Sequence, residues 1–414
     1  MQSLETKVVI IGAGPAGCST SIYLTKAGIP HILIDKAIFP RDKICGDAVS
    51  GKSAYVIRNA NADWEKELFR ESAEVLACGG LSFFAPNGQS LPIAFKKNDD
   101  GRSPGVVTPR LFLDNFLFRK TASSFAQTFA GSTALEIQKN AAGWRVSFQN
   151  DGISYKVDCT LLVGADGDKS QVRKAVFGDE QLSKTSAVGL RAYYSGIKDL
   201  HPQGFIELHF LKELLPGYFW IFPLPNGRAN VGLGMLSGDV RRNKINLRER
   251  MLSAIQNNPA LKPRFADAQL DGKILGWGLP MGTSRKAVSG AGFLLTGDAA
   301  HLIDPFSGEG IGNALYSGML AARAAEAALK KGDFSASFLK EQYDTPLYKR
   351  LWSELRTSTM LQKLCSFPWL FDFVISKANK SPTLRATISG MFTDIDLRAS
   401  LRKPSFYLKM LFNK

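Results

Sequence analysis

The sequence predicts an α/β protein: a discontinuous dinucleotide-binding domain, interrupted by an inserted antiparallel sheet and followed by a helical C-terminal segment. Three observations predict it. An apolar run, Val8 to Ile11, leads into a glycine-rich turn and a helical stretch at the start of the chain. A strand-rich middle follows from about Ala187 to Leu236. A second strand-and-helix unit then returns near residue 300. With 414 residues, the chain can form two or more packed domains.

Val8, Val9, Ile10 and Ile11 are continuously apolar, as expected of a parallel strand covered on both faces. Gly12-Ala13-Gly14-Pro15-Ala16-Gly17 makes a turn, and a helix over Cys18 to Lys26 ends at Ala27-Gly28. His31 to Ile34 is the second strand and ends in Asp35. Thr108 to Ala126 reads as a helix. Leu135 to Gln138, Trp144 to Phe148 and Tyr155 to Val163 read as strands, the last running into Gly164-Ala165-Asp166-Gly167. Alternation in Phe205 to Phe210 marks a half-buried strand. A helix over Leu247 to Asn257, a buried strand over Gly292 to Thr296 and a long helix from Gly310 to Lys330 complete the pattern. This assigns 1–75, 101–180 and 286–345 to the nucleotide domain, 76–100 and 181–285 to the inserted substrate sheet, and 346–414 to a basic helical segment.

The charge balance is +15, from 52 Lys and Arg against 37 Asp and Glu. Such an excess favours anionic partners: a phosphorylated cofactor, an acidic substrate or an anionic membrane surface. A basic surface that is simply solvated is the plain alternative. Much of the excess lies in the last quarter, among aromatic residues, and no nucleic-acid motif accompanies it. The five cysteines are widely spaced, without a CxxC pair, which argues against a disulfide scaffold or a zinc site and for a reducing compartment. The first strand begins too early for a signal peptide, and the longest apolar run near the end, Phe367 to Ile375, contains Pro368 and Asp372. The expectation is a cytoplasmic protein, soluble or peripheral on the inner membrane face.

The GxGxxG turn has a mechanical rationale. Gly12 permits the tight turn, Gly14 lets backbone approach a pyrophosphate, and Gly17 lets helix pack on strand. The phosphate then lies at a helix N-terminus, beginning at Pro15 and Ala16. Asp35, 18 residues beyond Gly17, is placed to accept hydrogen bonds from ribose hydroxyls, with Lys36 beside it. Two later segments resemble the second and third signatures of para-hydroxybenzoate-hydroxylase-type flavoproteins. One is Leu162 to Gly167, followed by Ser170 and Arg173; the other is Gly297-Asp298-Ala299-Ala300-His301, followed by Pro305, Gly308, Glu309, Gly310, Ile311 and Asn313. That resemblance implies a Rossmann-like FAD-binding domain. It places Asp166 and Gly167 near the cofactor, Asp298 on the ribityl chain and the Gly308–Gly310 turn at the flavin N1 edge. Arg110, in Pro109-Arg110-x-x-x-Asp114, matches the family's cofactor-contacting arginine; a helix-start salt bridge is the alternative. His301 is read as organising its turn, not as an acid or base.

Two further stretches resemble the geranylgeranyl reductase family: Pro40-Arg41-Asp42-Lys43-Ile44-Cys45-Gly46, and Tyr218-Phe219-Trp220-Ile221-Phe222-Pro223 followed by Asn230-Val231-Gly232-Leu233-Gly234. The resemblance runs from residue 7 to about residue 345. It implies a reductase that saturates isolated double bonds of an isoprenoid or similar lipid chain, with Lys43, Cys45 and Gly46 near the flavin. Cys45 would be the catalytic proton donor or positioning group; an inert buried thiol is the alternative. Tyr218, Trp220 and Phe222 alternate, so they should share one face of a strand and form an apolar substrate wall, unless they are plain core. Asp47 and Leu224 depart from the family pattern, at positions expected to touch the substrate end of the site. The sequence has no second GxGxxG domain for NAD(P)H, so the expected electron donor is NAD(P)H docking transiently, ferredoxin or a quinol. Two other readings stay open. One is a flavin monooxygenase or halogenase, whose WxWxIP pattern the Tyr218–Pro223 stretch resembles. The other is a membrane-surface electron-transfer flavoprotein, suggested by Phe367, Trp369, Phe371, Phe373, Phe406, Tyr407 and Phe412 among the C-terminal basic residues.

Overall fold

The computed structural model describes residues 1–98, 100–141, 143–178, 186–382 and 384–385. The C-terminal residues Arg398, Arg402, Lys403, Phe406, Tyr407, Lys409, Phe412 and Lys414 lie outside the described residues.

The strand Gln2–Ile11 is the centre of an eight-stranded sheet. It pairs in parallel with His31–Ile34 on one side, Val8 opposite His31, and with Ile153–Gly164 on the other, Val9 opposite Leu162. Phe293–Leu295 adds beyond Ile153–Gly164, again in parallel. Val8 through Ile11 are buried, because helices cover both faces. The strands Gly143–Asn150 and Thr133–Asn140 extend the sheet antiparallel from Ile153–Gly164.

All three glycine signatures follow from this order. Gly12 comes directly after Gln2–Ile11, the Gly164–Gly167 turn ends Ile153–Gly164, and Gly297 comes just after Phe293–Leu295. These are neighbouring parallel strands, so segments far apart in the chain meet at one carboxyl edge of the sheet.

The helices Pro15–Lys26 and Ile311–Lys331 pack on each other over that edge, and Ser19 Oγ donates to the Leu315 carbonyl at 2.7 Å. A second sheet runs in the order Gln269–Leu279, Ala187–Ser195, Arg228–Leu236, Tyr218–Pro223, Ile206–His209, Gly80–Phe84, Ser90–Ala94. It is antiparallel except where Ile206–His209 meets Gly80–Phe84. The helices Thr345–Leu364 and Pro368–Lys380 close the described chain.

The helix expected over Thr108 to Ala126 is shorter. It spans Arg110–Arg119, and Ala126–Phe129 is a strand paired in parallel with His31–Ile34. Sheet pairing across the chain decides this segment, overriding its local helical pattern.

Gly318 lies where the two long helices cross. A Cβ there would stand 2.2 Å from the Ala16 carbonyl oxygen and 2.9 Å from Ser19 Cβ. Replacing Gly318 by valine is expected to destabilise the protein by about 3 kcal/mol through overpacking, read as a lower urea midpoint.

Candidate active site

One cavity of about 1790 Å³ opens where the carboxyl edge of the parallel sheet faces the second sheet. Pockets for one small ligand are typically about 300–1,000 Å³, so a dinucleotide and a second molecule fit together. Every residue singled out from the sequence as cofactor- or substrate-binding lies on its wall, except Gly17 and Pro305. Gly17 serves packing: a Cβ there would stand 1.7 Å from the Gly12 carbonyl oxygen. The Pro305 carbonyl accepts from Gln362 Nε2 at 2.6 Å and so holds its turn to the helix Thr345–Leu364.

The first turn suits a phosphorylated ligand. Gly14 is the N-cap of Pro15–Lys26, and a Cβ on it would meet only Arg41 Nη2, at 3.7 Å. A Cβ on Gly167 would meet nothing within 4 Å. Both glycines therefore present bare backbone to the cavity, at a helix N-terminus in the first case. Asp35 accepts from the backbone N–H of Ala13 and of Ala37 and lies on the same wall. A carboxylate has about four acceptor positions, so two remain for ribose hydroxyls.

The second and third signatures brace each other. Asp166 accepts from Ser170 Oγ and from the backbone N–H of Gln171 and Val172, and so braces the first turn of Gln171–Phe177, whose N-cap is Ser170. Burial raises the Asp166 pKa against those bonds. Arg173 donates to the carbonyls of Ala299, at 3.2 Å, and Asp168, at 2.8 Å, and so ties the second turn to the third. Asp298 pairs with Lys43 at 3.0 Å. His301 sits in the left-handed region, at φ 55°, closing the turn Gly297–Ala300. Asp304 accepts from the backbone N–H groups of Phe306 and Ser307 and from Ser358 Oγ, shaping the run to Gly308.

Arg110 is both a helix-start ion pair and a cavity residue. It is buried and donates twice to Asp114, at 2.6 and 2.7 Å. Arg41 also pairs with Asp114. Cys45 lies beside the Arg110 guanidinium. Burial opposes its charge, but Asp114 and Cys45 together raise its pKa.

Tyr218, Trp220 and Phe222 share one face, as their alternation requires, while Phe219 and Ile221 belong to the opposite core. Each ring is held in place. Tyr218 donates to the Ser307 carbonyl at 2.8 Å, Trp220 Nε1 donates to Asn230 Oδ1 at 2.9 Å, and Phe222 lies over Gly46, where a Cβ would come within 2.9 Å of the ring. Leu81, Ile206 and Leu208 continue this wall with aliphatic surface.

Of the two family departures, Asp47 lies on the cavity wall, whereas Leu224 is buried in the core on the same face of the second sheet as Trp220 and Phe222, without lining the cavity. Asn230, in the Asn230–Gly234 motif, has no role that the sequence alone assigns. It is fully buried, and besides receiving Trp220 it donates to the Cys45 carbonyl at 2.7 Å and to Asp47 Oδ2 at 2.8 Å. An amide inside the apolar strand Arg228–Leu236 was the available signal, because a buried polar side chain needs partners.

A family model described as an FAD binding domain matches residues 5–342. A digeranylgeranylglycerophospholipid reductase from Methanosarcina acetivorans is 30% identical over 342 residues, 81% of this chain and 79% of its own. The chain belongs to the geranylgeranyl reductase family of FAD-dependent oxidoreductases. A menaquinone reductase from Mycolicibacterium smegmatis is also 30% identical, over 76% of this chain and 75% of its own. Among solved structures, a geranylgeranyl bacteriochlorophyll reductase-like protein from Thermoplasma acidophilum superposes with a TM-score of 0.79 at 22% identity, covering 95% of this chain and all of that one. A flavin-dependent brominase superposes at 0.77 with 20% identity, covering 98% of this chain and 99% of that one. At these identities both superpositions show the fold alone.

The two glycines of the first turn separate binding from folding. Gly14→Ala is expected to leave the urea midpoint unchanged and to weaken FAD at least about tenfold, ~1.4 kcal/mol, in a fluorescence-quenching titration. Gly17→Ala is expected to yield no folded protein, because the Gly12 carbonyl has nowhere to move.

Proposed function

We propose that this flavoenzyme is a reductase that saturates C=C bonds of an isoprenoid or similar lipid chain. The observation that carries the reading is the continuity of the cavity. The glycine turns suited to FAD and the aromatic face of Tyr218–Pro223 share one wall, with Cys45 and Gly46 at their junction. Bound at those turns in its reduced form, FAD supplies the hydride. Backbone at Gly12 to Ala16 and at Gly167 would hold the pyrophosphate, Asp35 the ribose, Asp298 with Lys43 the ribityl chain, and Gly308 to Ile311 the ring edge.

The chain's own contribution is placement and exclusion of water. Tyr218, Trp220 and Phe222 offer a rigid, largely apolar surface whose polar atoms are already bonded, so a hydrocarbon docks without leaving a buried donor unmet. Cys45, beside Arg110, acts as proton donor or positioning group at the reacting carbon. The reductase names of the relatives favour this reading over hydroxylation or halogenation. NAD(P)H or ferredoxin is proposed as the electron donor.

A peripheral position on an anionic membrane, at the cytoplasmic face, is a second and compatible proposal. Phe367 and Trp369, at the start of Pro368–Lys380, are 52% and 68% exposed, with Lys363 and Lys380 exposed nearby. Among the described residues no helix is long and apolar enough to cross a membrane.

In anaerobic single turnover the reduced enzyme is expected to reoxidise when given an isoprenoid alkene alone; a strict need for oxygen would assign it to the monooxygenases or halogenases. Cys45→Ala is expected to slow that step about 100-fold while retaining FAD. Co-sedimentation with anionic vesicles is expected to weaken as salt rises and to fall for Trp369→Ala; equal recovery in the supernatant with and without vesicles would remove the membrane proposal.

A further inference from the structure

The cavity has a second end. Trp220 lies opposite Leu208, and Ile206, on the same face of that strand as Leu208, lies opposite Leu81. All of these line the cavity, so its apolar floor crosses the second sheet from strand to strand. Phe95 continues it just beyond Ser90–Ala94, its N–H fastened to the Gly79 carbonyl at 2.9 Å. Three strand spacings separate Tyr218–Pro223 from Ser90–Ala94, about 14 Å in all. There the wall becomes cationic, at Arg58, Arg70, Lys96 and Lys97.

The two arginines are held in place. Glu65, itself buried, meets Arg58 Nη2 at 3.0 Å with one oxygen and Arg70 Nη2 at 3.1 Å with the other. Arg70 Nη2 also meets Asp100 at 3.2 Å, which ties it to the segment just after Lys97. Among the described residues these pairs engage Nη2 alone, so each guanidinium keeps donors for a ligand. Their side chains are 49% and 26% exposed, within reach of one. Lys96 and Lys97 are exposed and have no ion-pair partner among the described residues. Four cations thus face two carboxylates, and both carboxylates are already engaged.

We propose that this rim is the head-group site of the enzyme, where Arg58, Arg70, Lys96 and Lys97 bind the phosphate of a phosphate-headed isoprenoid. The chain lies along Phe95, Leu81 and Ile206 and presents a double bond at the junction of Cys45 with the flavin turns. The inference rests on the reductase reading and names its substrate class: phosphorylated rather than quinone-headed. Guanidinium N–H pairs match phosphate oxygens, and a surplus of positive charge at the open end of an apolar slot fits an anion on a hydrocarbon. A pyridine nucleotide also carries phosphates, but its riboses and nicotinamide would find no polar partner along that row. The row between rim and flavin turns sets how much tail separates the phosphate from the reacting bond.

The test uses the FAD-loaded full chain and a set of probes: an isoprenoid diphosphate, a glycerophospholipid with the same chain, the corresponding neutral isoprenol, and a menaquinone. At least one phosphorylated probe is expected to show kcat/KM at least about 100-fold above that of the isoprenol, from two or more charge-assisted bonds. That advantage is expected to shrink as salt rises. The better of the two identifies the source of the phosphate. Arg70→Gln, and separately Lys96→Gln combined with Lys97→Gln, are expected to cut the phosphorylated-to-neutral ratio at least about tenfold, through KM, with FAD binding unchanged. Both lysines are exposed, so the second variant keeps the test valid should the first misfold. Equal kcat/KM on phosphorylated and neutral isoprenoid, or preferential saturation of the menaquinone tail, overturns the proposal while the reductase reading stands. A raised KM for NAD(P)H but not for the isoprenoid in these variants assigns the rim to the electron donor and overturns it as well. An enzyme that binds FAD yet saturates none of the probes defeats the reductase reading and this proposal with it.

Discussion

A Cβ at Gly12 would stand 2.3 Å from the Ala165 carbonyl oxygen, and one at Gly17 would stand 1.7 Å from the Gly12 carbonyl. The rest of the molecule is arranged around this stack of unsubstituted backbone. It lets the turn after Gln2–Ile11 lie directly on the turn after Ile153–Gly164, and lets the helix Pro15–Lys26 descend onto both. Gly318 repeats the device one layer out, where Ile311–Lys331 meets Ala16. Three segments distant in the chain are brought within van der Waals contact, and each lines one cavity. Any side chain larger than hydrogen would push the strands or the helices apart, and close packing leaves little slack to absorb such a shift.

The nucleotide half of this arrangement was legible in the sequence because phosphate binding demands glycine at fixed spacings, and glycine has few substitutes there. Gly12, Gly14, Gly17 and Asp35 could be assigned from local pattern alone. The alternation of Tyr218, Trp220 and Phe222 was equally local, since a strand's side chains change face at every residue. What escaped was set by partners remote in the chain. Lys43 and Asp298 are 255 residues apart, Asn230 and Cys45 are 185 apart, and neither pairing leaves a mark on spacing. The helix expected from Thr108 ran as far as Ala126, because the strand Ala126–Phe129 owes its character to pairing with His31–Ile34. Asp47 stood out as a departure from the family pattern, but its burial and its bonds to Tyr193 and Asn230 belong to the second sheet.

Polar chemistry in the cavity is concentrated where the two sheets meet. The loop from Arg41 to Asp47 reaches Asp114 through Arg41, Asp298 through Lys43, Arg191 through Asp42, and Asn230 through the Cys45 carbonyl. These contacts come from both sheets and from the helix Arg110–Arg119. The loop is thus fastened from several directions, which is what groups near a reacting carbon require, because small misplacements are expensive in rate.

Tyr218 adds a mechanical link of another kind. Its hydroxyl donates to the Ser307 carbonyl, so the aromatic strand is stitched to the turn that leads into the helix Ile311–Lys331. Movement of one drags the other. The distance between the Gly308–Gly310 turn and the Tyr218 ring is therefore a fixed gauge. Leu81, Ile206 and Leu208 line the same cavity from the next strands of that sheet, Gly80–Phe84 and Ile206–His209. On the proposed function, the near end would keep the geometry of the reaction constant, and the far end is where different tails would be measured.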